Sequence, residues 1–296
     1  MYDRILLAVD GSDQATHAAR RGLELARCVD ADVDALSVVK RGRLALAASD
    51  RERRRLREQG ERALAAVGEL AAEVGHPVAT ELAEGAPVAQ ICEYADRQDT
   101  DLVVVGRQGN TGLGKRLLGG VTERLLRRND LPVLVVPAGA AAPVETYDRV
   151  LLTTDGSANA DAAAPHGAAL ARASGAQLHV LSVFDPTTAG GPFDAGGLDR
   201  EFLERLETRS REAVDRVADE VGDVAPEVGV RRAVERAPDR GGAAAGVRKY
   251  VTGESIDAVA MGSRGRSAIG RGLLGSVASA VLRTVDVPVL VVAPGV

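Results

Sequence analysis

The sequence predicts a tandem α/β protein: two doubly wound domains, each a five-stranded parallel sheet with helices on both faces. Three observations carry that expectation. The length of 296 residues is close to twice the ~150 of one compact domain. The chain repeats itself, with Arg4–Ser12 answered by Arg149–Ser157 at an offset of 145 and Asp101–Gly109 by Asp257–Gly265 at an offset of 156. Within each copy, short Val- and Leu-rich runs alternate with longer Ala- and charge-rich segments of helical period, the βαβ rhythm.

Taken in order along the first copy, the first strand is expected at Arg4–Val9, a nearly continuous apolar run after one charge. A helix follows at Asp13–Val29, with Ser12 placed to cap its first turn, as Ser157 is in the second copy. Val33–Val39 is the second strand, repeated at Leu178–Phe184, and Asp50–Val74 the second helix. A weaker strand near Val78–Leu82 and a helix at Pro87–Gln98 lead to a fourth strand at Leu102–Gly106. A last helix at Gly119–Arg128 and a strand at Val133–Val136 close the copy. The strands lack polar alternation, as burial on both faces of a parallel sheet requires. Right-handed crossovers then bring the ligand crevice to the carboxyl ends of the strands. The domains are expected at 1–140 and 146–296, with Ala138–Thr146 as the linker. The second copy carries eleven extra residues between its second and fourth strands, part of them expected in a Pro- and Gly-rich loop at Asp185–Gly197.

Composition excludes several classes. Aromatic residues are 2% with no Trp, too few for a protein that stacks single-stranded bases. The net charge of −5 argues against a phosphate backbone or an anionic membrane as partner. The longest uncharged stretch, Leu131–Val144, holds three prolines and falls short of the ~18 to 20 apolar residues of a membrane helix. No secretion signal is read at the N-terminus, so a cytoplasmic location is expected. Cys28 and Cys92 show no metal or disulfide spacing and read as reduced thiols on helix faces.

The chemistry sits at the strand ends. Strand one of each copy ends in a carboxylate, Asp10 or Asp155. Strand four runs into a glycine loop with the pattern G-x2-G-x9-G: Gly106, Gly109 and Gly119 in the first copy, Gly262, Gly265 and Gly275 in the second. Such a loop lets backbone N–H groups approach an anion where a helix N-terminus adds its partial positive charge. The neighbouring carboxylate is placed to accept from ribose hydroxyls or to hold a metal that bridges phosphates. The combination describes a nucleotide site. Two plainer readings stand beside it: the glycines also suit a tight strand-to-helix turn, and each Asp also suits the first position of an Asp-Gly turn or a helix cap. Gly109–Arg116 is one residue short of a phosphate-binding GxxxxGK[ST] loop, with Arg116 in place of the magnesium-binding hydroxyl, and the second copy keeps neither Lys nor hydroxyl there. Lys115, Arg107, Arg264 and Arg271 read either as charges at the phosphate mouth or as solvated loop residues.

These residues, with Ala8–Ser12, Val104–Gly106 and Pro132–Val136, resemble the universal stress protein family over essentially the whole chain, twice. The resemblance implies a Rossmann-like fold of the adenine nucleotide alpha hydrolase-like type, ATP binding in a subset of members, and dimerisation through the last strand. The motif of the ATP-binding members ends in Ser or Thr. Ser276 meets that requirement, whereas the first copy has Gly120. The resemblance further implies that Asp10 and Asp155 contact ribose or metal and that backbone near Val38 and Val183 meets adenine. Losing one hydrogen bond to a charged acceptor costs about 1.5 to 3 kcal/mol, so the second copy is expected to be the stronger site.

The expected ligand is ATP or a related adenine nucleotide, with Mg2+ as its possible companion and a regulatory role in stress. The alternatives are an interaction module of the same fold that binds no nucleotide and works through an unknown protein partner, and a slow nucleotide hydrolase. No hydrolytic apparatus is read: His17, His76, His166 and His179 have no ligand spacing, and no residue positions an attacking group. An exposed fifth strand wants a partner, so an internal pseudo-dimer of the two domains is expected, with a homodimer as a further option.

Overall fold

The computed structural model describes residues 1–40, 50–109, 117–128, 130–140, 142–186, 200–265 and 273–293. The chain divides into two compact units, Met1–Glu145 and Thr146–Val296. The first unit runs β1 (Arg4–Val9), α1 (Asp13–Val29), β2 (Asp32–Lys40), α2 (Asp50–Val74), β3 (Ala79–Gly85), α3 (Pro87–Arg97), β4 (Leu102–Gly106), α4 (Gly120–Arg128) and β5 (Val133–Val136). Its five strands are parallel in the order β3-β2-β1-β4-β5. That order reverses between β1 and β4, so a crevice opens at their carboxyl ends. The continuous apolar runs have the expected cause: Ile5, Leu6, Leu7, Leu36 and Leu102 are fully buried, with helices over both faces.

The second unit repeats the plan with β6 (Arg149–Thr153), α5 (Ala158–Asp161), α6 (Ala164–Ser174), β7 (Gln177–Phe184), α7 (Arg200–Val224), β8 (Val230–Arg236), α8 (Gly242–Gly253), β9 (Ala258–Gly262), α9 (Ser276–Thr284) and β10 (Val289–Val292). Its strands are parallel in the order β8-β7-β6-β9-β10. Where the first unit has one helix, α1, this unit has two, because Pro165 stands where the repeat has Arg20. Proline lacks the N–H that continues a helix and clashes with the carbonyl four residues back. It is accommodated here at the start of α6.

The eleven extra residues fall in more than one place. The offset between the units rises from 145 at β6 to 150 at α7, 151 at β8 and 156 at β9. Five of them therefore precede α7, where residues 187–197 of the expected loop lie outside those described, and five lie between β8 and β9. The stretch read as a linker is packed against α1. Val144 and Ala140 are buried, the Val144 N–H donates to Glu24 at 3.3 Å, and Arg21 donates to the Ala142 carbonyl at 2.8 Å. Arg27 pairs with Glu145 at 2.9 Å.

Three histidines in this framework have their pKa lowered by burial. His179 on β7 is fully buried, with Nδ1 3.0 Å from the Tyr250 hydroxyl and Nε2 3.2 Å from Gln177 Oε1, which suits a neutral ring protonated on Nε2. Burial lowers its pKa, helped by Arg231 and Arg149 and opposed by Glu254. Burial also lowers the pKa of His166 and, with Arg21 and Arg20 nearby, that of His17. The unfolded chain therefore takes up protons below the ordinary value of 6.5 that the folded chain refuses. Stability is full above that pH and is lost as pH falls through it. Glu24, whose pKa burial raises, acts in the opposite sense nearer its ordinary value of 4.5. Thermal unfolding is expected at a lower temperature at pH 5.5 than at pH 7.5, with part of the difference removed by His179→Gln; equal midpoints at the two pH values would contradict the assignment.

Candidate functional site

Each unit places its candidate residues around one cavity at the carboxyl ends of its strands. In the first, Asp10, Val38, Gly106, Gly109, Gly119 and Gly120 all line a cavity of about 270 Å³. In the second, Asp155, Val183, Gly262, Gly265, Gly275 and Ser276 line one of about 990 Å³. Residues separated by more than a hundred positions are thus assembled twice in the same way, by the point where each sheet reverses its strand order.

The carboxylates hold a turn and face the glycine loop together. Asp10 Oδ1 accepts from the Ser12 N–H at 3.1 Å and from the Ser12 hydroxyl at 2.6 Å, while Ser12 Oγ accepts from the Ala15 N–H at 3.2 Å and caps α1. Asp155, Ser157 and Ala160 repeat the set at 3.0, 2.6 and 3.3 Å. The intervening Gly11 and Gly156 have φ of +78° and +75°, the left-handed region that favours glycine. The plain reading of the Asp-Gly turn therefore holds for Oδ1. Oδ2 points elsewhere, toward the second motif glycine. A Cβ built on Gly109 would collide with Asp10 Oδ2, and one built on Gly265 would lie 2.5 Å from Asp155 Oδ2.

The other glycines are close approaches of backbone to backbone. A Cβ on Gly262 would run into the Asn159 carbonyl, and one on Gly106 would lie 3.1 Å from that of Gln14, so the first turn of the helix after the first strand rests on the end of the fourth strand. The Gly119 N–H donates to the Arg107 carbonyl and the Gly275 N–H to that of Ser263, both at 2.8 Å, which sets where the last helix begins. The first intrahelical bonds are Glu123 N–H to Gly119 O and Ser279 N–H to Gly275 O. The three N–H groups of Gly120 to Thr122, and likewise of Ser276 to Ala278, consequently have no intrahelical partner at the cavity wall. These groups and the helix dipole favour an anion.

The two sites differ in ways the motif does not encode. In the first unit Gln108 is buried and bridges the loop: its N–H donates to Gln14 Oε1 at 3.2 Å and its side-chain amide donates to the Leu117 carbonyl at 2.5 Å. The second unit has Asn159 and Arg264 at those positions, and Arg264 lines the larger cavity. Arg107 is buried and does not line the first cavity; among the described residues the cation in its wall is Lys40. Lys115, Arg271 and the near-match to a phosphate-binding loop at residues 110–116 lie outside the described residues. Phe184 and Arg209 stand in the wall of the second cavity, and sequence reasoning passed over both. Phe184 is marked in the sequence as an aromatic residue where the repeat has Val39; Arg209 carries no signal beyond its place on a charged helix. No group of three or more His, Cys, Asp or Glu able to hold a metal occurs among the described residues, and among them no helix is long and apolar enough to cross a membrane.

Two Rossmann-like units with paired strand-end cavities define a tandem protein of nucleotide-fold type. The universal stress protein family model matches residues 1–137 and 146–293, and the chain belongs to that family as a tandem, two-domain member. It is 38% identical over 140 residues to a universal stress protein of Methanocaldococcus jannaschii, a match covering 46% of this chain and 82% of that one. A universal stress protein of Bacillus subtilis is 30% identical over 150 residues, covering 46% and 99%. The crystal structure of a universal stress protein from Archaeoglobus fulgidus DSM 4304 covers 100% of both chains with a TM-score of 0.72 at 21% identity, a likeness of fold.

Proposed function

We propose that the protein binds ATP or a related adenine nucleotide, most strongly in its second unit, and acts as a regulator or sensor in a stress response. The observation that carries this reading is the convergence of Asp155, Gly262, Gly265, Gly275 and Ser276 on one cavity of about 990 Å³. The open N–H groups of α9 and the Ser276 hydroxyl suit phosphate oxygens, and Asp155 Oδ2 suits ribose hydroxyls. Mg2+ fits only as a companion of the phosphates: the protein side offers Asp155, whose Oδ1 is already engaged by Ser157. The groups around the anion position are backbone donors, a hydroxyl and guanidinium, which bind and orient; none of them stands out as a base for an attacking water. Binding energy then shifts a conformational or partner equilibrium.

Calorimetric titration of the full chain with ATP and Mg2+ tests the reading. Heat corresponding to at least one site is expected; its absence at millimolar nucleotide would favour the family-fold module that works through its surface alone.

The first unit offers a second test. Gly120 has open space where a Cβ would go. Gly120→Ser therefore adds the hydroxyl that Ser276 supplies in the other unit, without a clash. The substitution is expected to strengthen the weaker site by about tenfold, the lower end of the worth of a hydrogen bond to a charged group. An unchanged weaker site would show that the difference between the cavities lies in their size and not in the hydroxyl.

A further inference from the structure

The larger cavity extends to a helix that its counterpart does not reach. Leu206, Arg209 and Ser210 of α7 line the second cavity, whereas no residue of α2 lines the first. The two helices are 25 residues long and share register, their buried faces matching at Ala63 and Ala213, Leu64 and Val214, Val67 and Val217, and Ala71 and Val221. Gln59 thus corresponds to Arg209 and Gly60 to Ser210. In the first unit Gly60 lets α2 sit down on the sheet, for a Cβ there would be 2.5 Å from Leu82 and 3.3 Å from the Ser37 hydroxyl. Gln59 then reaches the Asp10 carbonyl at 3.5 Å across the end of β1. With a side chain at 210 that seat is changed, and the position facing the strand-one end carries a guanidinium.

Arg209 is exposed and engages no partner among the described residues, although its neighbours do: Arg205 pairs with Glu201 at 3.7 Å and Arg211 with Glu207 at 2.7 Å. It shares the cavity with Arg264, on the loop that leaves β9. Two guanidinium groups at different elements of one wall, beyond the single cradle at the start of α9, suit an anion longer than one phosphate.

We infer that the α7 side of the second cavity is a subsite for the distal phosphates of a nucleotide, with Arg209 as its specificity-determining residue. The second unit then selects nucleotides bearing a polyphosphate chain over monophosphates, a preference the first unit lacks. This inference rests on the nucleotide reading of the same cavity. The test compares AMP and ATP, each with Mg2+, by calorimetry on the full chain and on Arg209→Gln, which installs the residue of the first unit. Affinity for ATP at the stronger site is expected to fall about tenfold or more while affinity for AMP is unchanged. Arg205→Gln, which removes an equal charge from the same helix, is expected to leave both unchanged. Equal effects of Arg209→Gln on AMP and ATP, no effect on either, or the same loss from Arg205→Gln would overturn the subsite while leaving nucleotide binding intact. Failure of both nucleotides to bind the unmodified chain would overturn the two readings together.

Discussion

Gly265→Ala is expected to weaken nucleotide binding at the second cavity by roughly tenfold to more than a hundredfold while the protein stays folded. The added methyl carbon would lie 2.5 Å from Asp155 Oδ2. A free carboxylate could swing aside cheaply, but this one is held through Oδ1 by the N–H and hydroxyl of Ser157, at 3.0 and 2.6 Å. Either the loop moves off the carboxylate or the carboxylate leaves its turn. Both separate the proposed ribose acceptor from the proposed phosphate donors, at a cost of about 1.5 to 3 kcal/mol for the interaction with a charged group. Titration with ATP and Mg2+, with circular dichroism as the check on folding, reads the effect. Retained affinity in a folded variant would mean that Asp155 and the glycine loop do not act on one ligand. Gly109→Ala makes the same collision with Asp10 in the first unit and serves as the internal comparison.

The largest loss of stability is expected from Glu24→Ala. Glu24 and Arg21 lie one turn apart on α1, joined at 2.7 Å, with only 10% and 7% of their side chains exposed. Glu24 also accepts the Val144 N–H, and Arg21 donates to the Ala142 carbonyl, so the pair fastens the end of the first unit to α1. Removing the carboxylate takes the partner at 2.7 Å from a buried guanidinium and the acceptor from the Val144 N–H, which costs about 3 to 5 kcal/mol. The unfolding midpoint of the first unit should drop by on the order of 10 °C. The double change Arg21→Met with Glu24→Leu is expected to be milder than Glu24→Ala alone, because no charge is left unpaired in the interior. Thermal melts of the two variants decide the matter, and a shift below about 2 °C for Glu24→Ala would show that the pair is effectively hydrated.

The strands and most helices are legible in the chain because their signals are local. β1, β4 and β5 lie at the expected residues, and α1 and α2 begin and end where the period and the Ser12 cap put them. β3 runs to Gly85, further than its weak pattern suggests, because it is a half-exposed strand at one end of the order β3-β2-β1-β4-β5 and needs no continuous apolar run. The break between α5 and α6 is also local, since Pro165 marks it, although the repeat by itself suggests one helix. The Arg21–Glu24 pair reads as an ordinary charged helix face until the chain at 140–145 covers it.

The sequence alone determined that there are two α/β units, that Asp10 and Asp155 stand just past their first strands, and that glycines of fixed spacing run on from the end of their fourth. Those features follow from burial on both sheet faces and from turn geometry, which neighbouring residues set by themselves. Only the tertiary structure decided that one cavity holds about 270 Å³ and the other about 990 Å³, that Gln108 bridges the first loop, and that Arg209 faces the second site. Each of these depends on how closely a helix approaches a strand end. The approach is set by single side chains far away in sequence, as Gly60 and Ser210 show, and no periodic pattern records it.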